Sequence, residues 1–124
     1  LLSGVQRRAV AHGWHFVLAL ETLQQLEPLR ASPAKGLTMT ALTQRLQVDA
    51  LQLELVLETL VELDWVGQLQ EEGEGGEARY LLLSNPDATL LEPLFNSLLL
   101  QRQPSIENLW KTGRWALIYM RDAL

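Results

Sequence analysis

Most apolar positions in this chain fall into stripes of helical period. Phe16, Ala19, Leu20, Leu23 and Leu26 stand at offsets 0, 3, 4, 7 and 10, one face of a 3.6-residue repeat. They predict a first helix from about Val5 or Val10 to Leu26, ending ahead of Pro28, because the residue before a proline is pushed out of the α region. Arg30 to Gly36 reads as a loop. Thr38 can cap a short second helix that carries Leu42 and Leu46 on one face. Val48 reads as a buried turn residue, and Asp49 as the cap of a third helix whose stripe is Leu53, Val56, Leu57, Leu60 and Leu63. Two helices joined by a three-residue turn make a helix-turn-helix pattern, here without the glycine that such turns often contain.

After the third helix the period changes. Trp65–Leu69 and Ala78–Leu83 are short β-prone runs around Glu71-Glu72-Gly73-Glu74-Gly75-Gly76-Glu77, which predicts a β-hairpin with its charged tip in water. A helix-turn-helix followed by a hairpin is a winged helix, so the expected fold class is mainly α, a winged helix with additional C-terminal helices. Asn85-Pro86-Asp87 predicts a turn, and Asp87 or Thr89 the start of a helix holding Leu90, Leu91, Leu94, Phe95 and Leu98, with Pro93 in its first turn, where the missing amide costs little. Gln101–Pro104 reads as a linker, and Ser105, with Glu107 behind it, as the start of a last helix reaching about Met120. Ile106, Leu109, Trp110, Gly113, Leu117 and Met120 line one side of that helix, while Trp115, Ile118 and Tyr119 project from the other. Apolar residues on both sides predict burial from two directions or an absent partner, with Gly113 a point of bending. The expected division is a winged-helix domain over 1–100 and a helical extension over 101–124.

Composition narrows the function classes. The 124 residues are 48% hydrophobic and 20% charged, an ordinary globular balance, and carry a formal charge of −5. A general polyanion binder would be basic. There is no cysteine, hence no disulfide framework, iron–sulfur cluster or thiolate zinc site. Near the N-terminus the longest stretch free of Asp, Glu, Lys and Arg is Ala9–Leu20, well short of the ~20 residues that span a bilayer. No signal-peptide pattern opens the chain, and Leu rather than Met at position 1 suggests a piece of a longer protein.

The charge pattern bears directly on the helix-turn-helix. Between Leu37 and Leu83 two bases, Arg45 and Arg79, stand against nine acids, a local charge of −7. Glu54, Glu58 and Glu62 are successive i, i+4 neighbours, an acidic ridge on the helix that would have to enter the major groove. Phosphate contacts need cations, so this sign argues against nucleic acid and makes the winged helix a scaffold. A DNA-binding transcription regulator is the alternative reading. His12 and His15, three apart, could share a metal or act as acid and base beside Arg7 and Arg8, a ribonuclease-like second alternative. Neither has the third and fourth ligands or the nuclease motif it would need, and the acidic loop lacks the ligand spacing of a calcium site. No catalytic, cofactor or metal residue is expected. Trp14 and Trp65 read as core. Trp110 and Trp115 bracket Lys111 and Arg114, a mix that fits packing on the protein's own core or a helix at a membrane surface. The expected partner contacts are Trp110, Trp115 and Tyr119, or the ridge Glu54, Glu58 and Glu62.

Three stretches carry a family resemblance: Gly13-Trp14-His15-Phe16-Val17-Leu18-Ala19-Leu20-Glu21; Gly36-Leu37-Thr38 running on to Leu63-Asp64-Trp65-Val66-Gly67; and Arg79-Tyr80-Leu81-Leu82-Leu83 with Asn85-Pro86-Asp87 and Leu94. Over about residues 13–100 the chain resembles the C-terminal cytosolic region of the YihY/BrkB family, bacterial inner-membrane proteins formerly labelled ribonuclease BN. The resemblance implies a bundle of transmembrane helices upstream and a place on the cytoplasmic face of the inner membrane. Together with the non-Met start, the acidic third helix and the two-faced last helix it leads to the expectation of a docking or regulatory module that is not an enzyme. The implied partners are another protein or the family's own transmembrane portion, with a homo-oligomer left open. The ribonuclease label is not carried over, since no residues match a nuclease motif. The winged-helix stretch is also similar to Rrf2-type regulators, whose iron–sulfur members use cysteines that this chain does not have.

Overall fold

A computed structural model describes residues 8–9, 11–32, 36–70 and 76–124. Helix α1 (Trp14–Leu26) begins after Gly13, which stands at φ +75°. Its start is therefore later than the periodicity predicts; Val5 and Val10 lie outside the described residues, and Arg8, Ala9 and Ala11 to Gly13 are not helical. The buried face is Leu18, Ala19, Thr22, Leu23 and Leu26, slightly rotated from the expected stripe, so Phe16 and Leu20 are only half-buried. Thr22 pays no penalty for burial because its hydroxyl donates to the Leu18 carbonyl at 2.7 Å. Nor does the chain leave helical form before Pro28. It tightens into a 3-10 turn over Glu27–Leu29, where an early proline has no intrahelical amide to lose.

Helix α2 (Met39–Leu46) is capped by Thr38, whose hydroxyl accepts the Ala41 N–H at 3.1 Å, and it buries Leu42 and Leu46. Gln47 then takes the left-handed conformation at φ 52°, a role glycine commonly fills, and its side-chain amide donates to the Gln44 carbonyl at 2.6 Å. Val48 is buried, and the Asp49 carboxylate accepts the Leu51 N–H at 2.6 Å to start α3 (Ala50–Glu62). Gln52, Leu53, Val56, Leu57 and Leu60 face inward, while Leu63 caps the helix half-buried.

Strands β2 (Val66–Leu69) and β3 (Arg79–Leu82) form the expected antiparallel hairpin, with Val66 opposite Leu82 and Gln68 opposite Tyr80. Residues 71–75, which hold the expected tip acids Glu71, Glu72 and Glu74, lie outside the described residues. Glu77 accepts the Thr40 hydroxyl at 2.8 Å. A third strand, β1 (Leu37–Thr38), was not foreseen; it pairs with β3 and gives the sheet order β1-β3-β2. Gly36 makes this pairing feasible: at φ +75°, a Cβ there would come within 2.0 Å of the Tyr80 carbonyl oxygen. Helices 1 to 3 and this sheet form a winged helix.

The C-terminal third departs most from the sequence pattern. The helix expected from Asp87 or Thr89 starts only at Glu92, as α4 (Glu92–Leu94), and widens into a π turn over Phe95–Leu99. The Asn85 side chain and carbonyl engage Asp87, Ala88 and Thr89 in a compact turn, and Leu90 pairs with Tyr119 in an isolated bridge. The single long helix predicted from Ser105 to Met120 is not formed. A 3-10 turn (Pro104–Ile106) leads into α5 (Glu107–Gly113), Arg114 turns left-handed at φ 55°, a second 3-10 turn spans Trp115–Leu117, and α6 covers Met120–Ala123. The break falls beside Gly113, where a Cβ would lie 2.2 Å from the Trp115 indole nitrogen. Residues 118 and 119 are extended and return to the domain: Leu91 N–H donates to the Ile118 carbonyl and Met120 N–H to that of Thr89, each at 2.7 Å. Met120 is fully buried in the same core as α1 and α3. Folding back accounts for part of the two-sided apolar pattern, burying Trp110 and Met120, while Leu109, Leu117 and Tyr119 remain exposed.

Two substitutions test this packing. Leu60→Ala, at a fully buried position, should cost about 2–5 kcal/mol in denaturant unfolding. Gly36→Ala should be at least as damaging despite adding a single methyl, because the clash is with backbone and the φ is left-handed. Near-neutral behaviour at Gly36 would contradict the β1–β3 pairing.

Candidate functional site

Once α3 has buried its inner stripe, its other side is committed to the surface. That outer side carries Glu54, Glu58 and Glu62, all exposed, together with Leu51 at 71%, Leu55 at 52% and Val61 at 36% exposure. The acidic ridge expected from the spacing is therefore formed, and it is flanked by apolar side chains outside the predicted stripe. Their signal was present in Leu51 and Leu55, one turn apart and off the buried face. Among the described residues no cation pairs with Glu54, Glu58 or Glu62.

Two depressions flank this face. Toward the wing, a groove of about 360 Å³ has the three carboxylates on its rim, Leu57 and Val61 beneath, and Gln68 and Tyr80 as its far wall. Those two wall residues are cross-strand partners, and the Gln68 amide donates to the Tyr80 hydroxyl at 3.4 Å. Burial, and after it the Glu54 carboxylate, push the Tyr80 hydroxyl above the ordinary tyrosine range. Toward α1, a cleft of about 120 Å³ lies among Trp14, Asp49, Leu51, Gln52 and Leu55. Gln52 fixes the chain ahead of α1 there, accepting the Arg8 N–H at 3.0 Å and donating to the Arg8 carbonyl at 3.1 Å.

The other expected contact residues sit elsewhere. Trp110 is 1% exposed, with its indole N–H donated to Glu92 at 2.8 Å, and so offers no surface to a partner. Arg102 lies over that ring at 5.8 Å, forks onto Glu107 at 2.6 and 3.0 Å, and reaches Glu92 at 3.1 Å. The hydrogen bond from Arg102 is the main reason the Glu107 carboxyl is held below its usual range. Trp115 is half-buried in a row of rings, 5.0 Å from Trp110 and 5.5 Å from Phe95, which in turn stacks on Phe16 at 5.1 Å. The two tryptophans pack on one another and, through Trp115, on Phe95, which borders the core. Tyr119 keeps 42% of its surface exposed.

The histidine pair is dispersed. His12 is exposed and His15 stacks on Trp14 with centroids 3.7 Å apart. Among the described residues no three His, Cys, Asp or Glu side chains are placed to hold one metal ion. Arg8 pairs with Glu21 and donates to the Leu46 carbonyl, so it ties α1 to the end of α2; Arg7 lies outside the described residues.

No family model matches the chain. It is 60% identical over 124 residues to a UPF0761 membrane protein of Albidiferax ferrireducens, covering 100% of this chain and 30% of the relative. A UPF0761 membrane protein of Verminephrobacter eiseniae is 48% identical over 128 residues, with 31% of its length covered. The chain thus spans about 30% of the length of these curated relatives. Among the described residues no helix is long and apolar enough to cross a membrane. Solved structures share the winged-helix fold at low identity: a Lactobacillus plantarum protein described as a transcriptional regulator (TM-score 0.62, 14% identity, 89% of this chain and 87% of that one) and the global cysteine regulator CymR of B. subtilis (TM-score 0.53, 17% identity, 93% and 94%).

The unpaired ridge should weaken the fold. Glu58 repels Glu54 and Glu62 by about 0.2–0.5 kcal/mol each, so Glu58→Gln should raise the melting temperature at low ionic strength, with the gain fading in high salt. Trp115→Ala, by contrast, should destabilise by roughly 1–3 kcal/mol through loss of the ring stack, a change that thermal unfolding reads directly.

Proposed function

We propose that this chain is the cytosolic winged-helix domain of a bacterial inner-membrane protein of the YihY/BrkB family, and that it serves as a docking or regulatory module without catalysis. The membrane-protein names of relatives three times its length support the membrane context, and the resemblance in its first hundred residues supports the cytosolic side. One observation carries the functional half: the helix that a DNA-reading winged helix would seat in the major groove presents Glu54, Glu58 and Glu62 with no cation paired to them among the described residues. A duplex brought to that face meets like charge at every turn of the helix. The exposed leucines beside the ridge favour a polypeptide partner, either the membrane-spanning part or another protein.

The competing reading, a transcription regulator, draws on the regulators among the solved structures of this fold. A mobility-shift titration with a random 25-base-pair duplex at low salt separates the two. No shift is expected up to tens of micromolar protein. Tight binding that weakens steeply with added salt would establish the regulator reading instead.

A further inference from the structure

We infer that the outer face of α3 is the seat of a basic amphipathic helix, one that carries lysines or arginines alongside leucine-like side chains and belongs to a cytosolic segment of the membrane-spanning part. The inference rests on the docking reading above and specifies its chemistry.

Three features of the surface select this occupant. Acids and apolar side chains share the face of one helix: Leu51 and Leu55 stand a turn apart on one flank of the Glu54, Glu58 and Glu62 ridge, and Val61 stands on the other. A purely basic tract would match the carboxylates and leave Leu51 and Leu55 in water. A purely apolar helix would strip water from three carboxylates without replacing it, which burial does not tolerate. Only a segment that offers both sorts of side chain at helical spacing satisfies the whole row.

The flanking geometry agrees. The wing-side groove places an apolar floor, Leu57 and Val61, under a carboxylate rim, with the Tyr80 ring on the far side. A lysine or arginine entering there can lay its methylenes on the floor, its charge among the carboxylates and its cation near the aromatic ring. The smaller cleft between Trp14 and Leu55 has the width for an apolar side chain on the opposite flank. The sign also selects against a lipid surface, since anionic headgroups would be repelled by the same carboxylates. Cytosolic loops next to membrane spans are enriched in Lys and Arg, so the proposed source is rich in the required charge.

The test is fluorescence anisotropy with the 124-residue chain and three labelled probes: a 16-residue peptide with Leu and Arg alternating at i, i+3 and i+4 spacing, the same peptide with Glu for Arg, and octa-arginine. The amphipathic basic peptide should bind at least tenfold more tightly than either control. Leu55→Ser and Glu58→Gln, both at exposed positions, should each weaken it fivefold or more, while Asp64→Asn, an exposed acid off this face, should change it less than twofold. Replacing Glu54, Glu58 and Glu62 together by Lys should invert the preference toward the Glu peptide. Equal binding of octa-arginine, or equal effects of Glu58→Gln and Asp64→Asn, would reduce the attraction to diffuse charge and overturn the inference. So would absence of binding by every peptide, which leaves the docking reading standing on some other surface. Tight, salt-sensitive binding of duplex DNA in the separate mobility-shift titration would remove the docking reading itself.

Discussion

Burial of one stripe of α3 is the constraint on which the rest of this structure depends. Leu53, Val56, Leu57 and Leu60 are almost completely withdrawn from water, and they meet the inner sides of α1 and α2 and the start of β2. Each such side chain contributes about 1.5–3 kcal/mol relative to exposure, more than any surface charge pair in the molecule can add. With that side fixed, the opposite side has no freedom. Leu51, Glu54, Leu55, Glu58, Val61 and Glu62 must face outward whatever their chemistry, and the two adjoining depressions take their rims from them.

The surface that results is poor for folding. Like charges one turn apart repel, the last of them, Glu62, stands at the helix end where the dipole is already negative, and large apolar side chains lie open beside them. A winged helix without a partner for this side would be more stable with polar, mixed-charge residues there. Electrostatic sign is the ground on which a cationic polypeptide is proposed as the partner: carboxylates disfavour phosphates and anionic headgroups, and such a segment would also cover the leucines.

The C-terminal segment is governed by different physics. Arg102 joins Glu92 and Glu107 over the face of Trp110, Arg121 joins Glu27 and Asp87, and the rings of Phe16, Phe95, Trp115 and Trp110 form a continuous row between α1 and α5. The exposed ion pairs are individually weak, but they converge with backbone hydrogen bonds from Leu91 and Met120, so the segment returns to the core that α1 and α3 build. Of the tryptophans that suggested an interface by their mixture with basic residues, Trp110 is buried and Trp115 is half-buried in this row.

Where a local signal and the global packing agree, the amino-acid pattern was sufficient. The caps at Thr38 and Asp49, the buried Leu42 and Leu46 of α2, most of the α3 stripe, the buried Val48, the antiparallel hairpin and the acidic ridge follow from spacing and side-chain chemistry between neighbours along the chain. The buried face of α1, by contrast, is rotated from its expected stripe. Three features depended on partners distant in the chain. The two-residue strand β1 exists because β3, some forty positions later, presents an edge to it, and Gly36 admits the close approach. The expected last helix gives way to shorter turns because the left-handed Arg114 sends Trp115 back toward Phe95 and brings Tyr119 beside Leu90. The apolar half of the α3 surface is hinted at by Leu51 and Leu55, off the predicted stripe, but periodicity reports only that leucines repeat, and the packed neighbours decide which of them meet water.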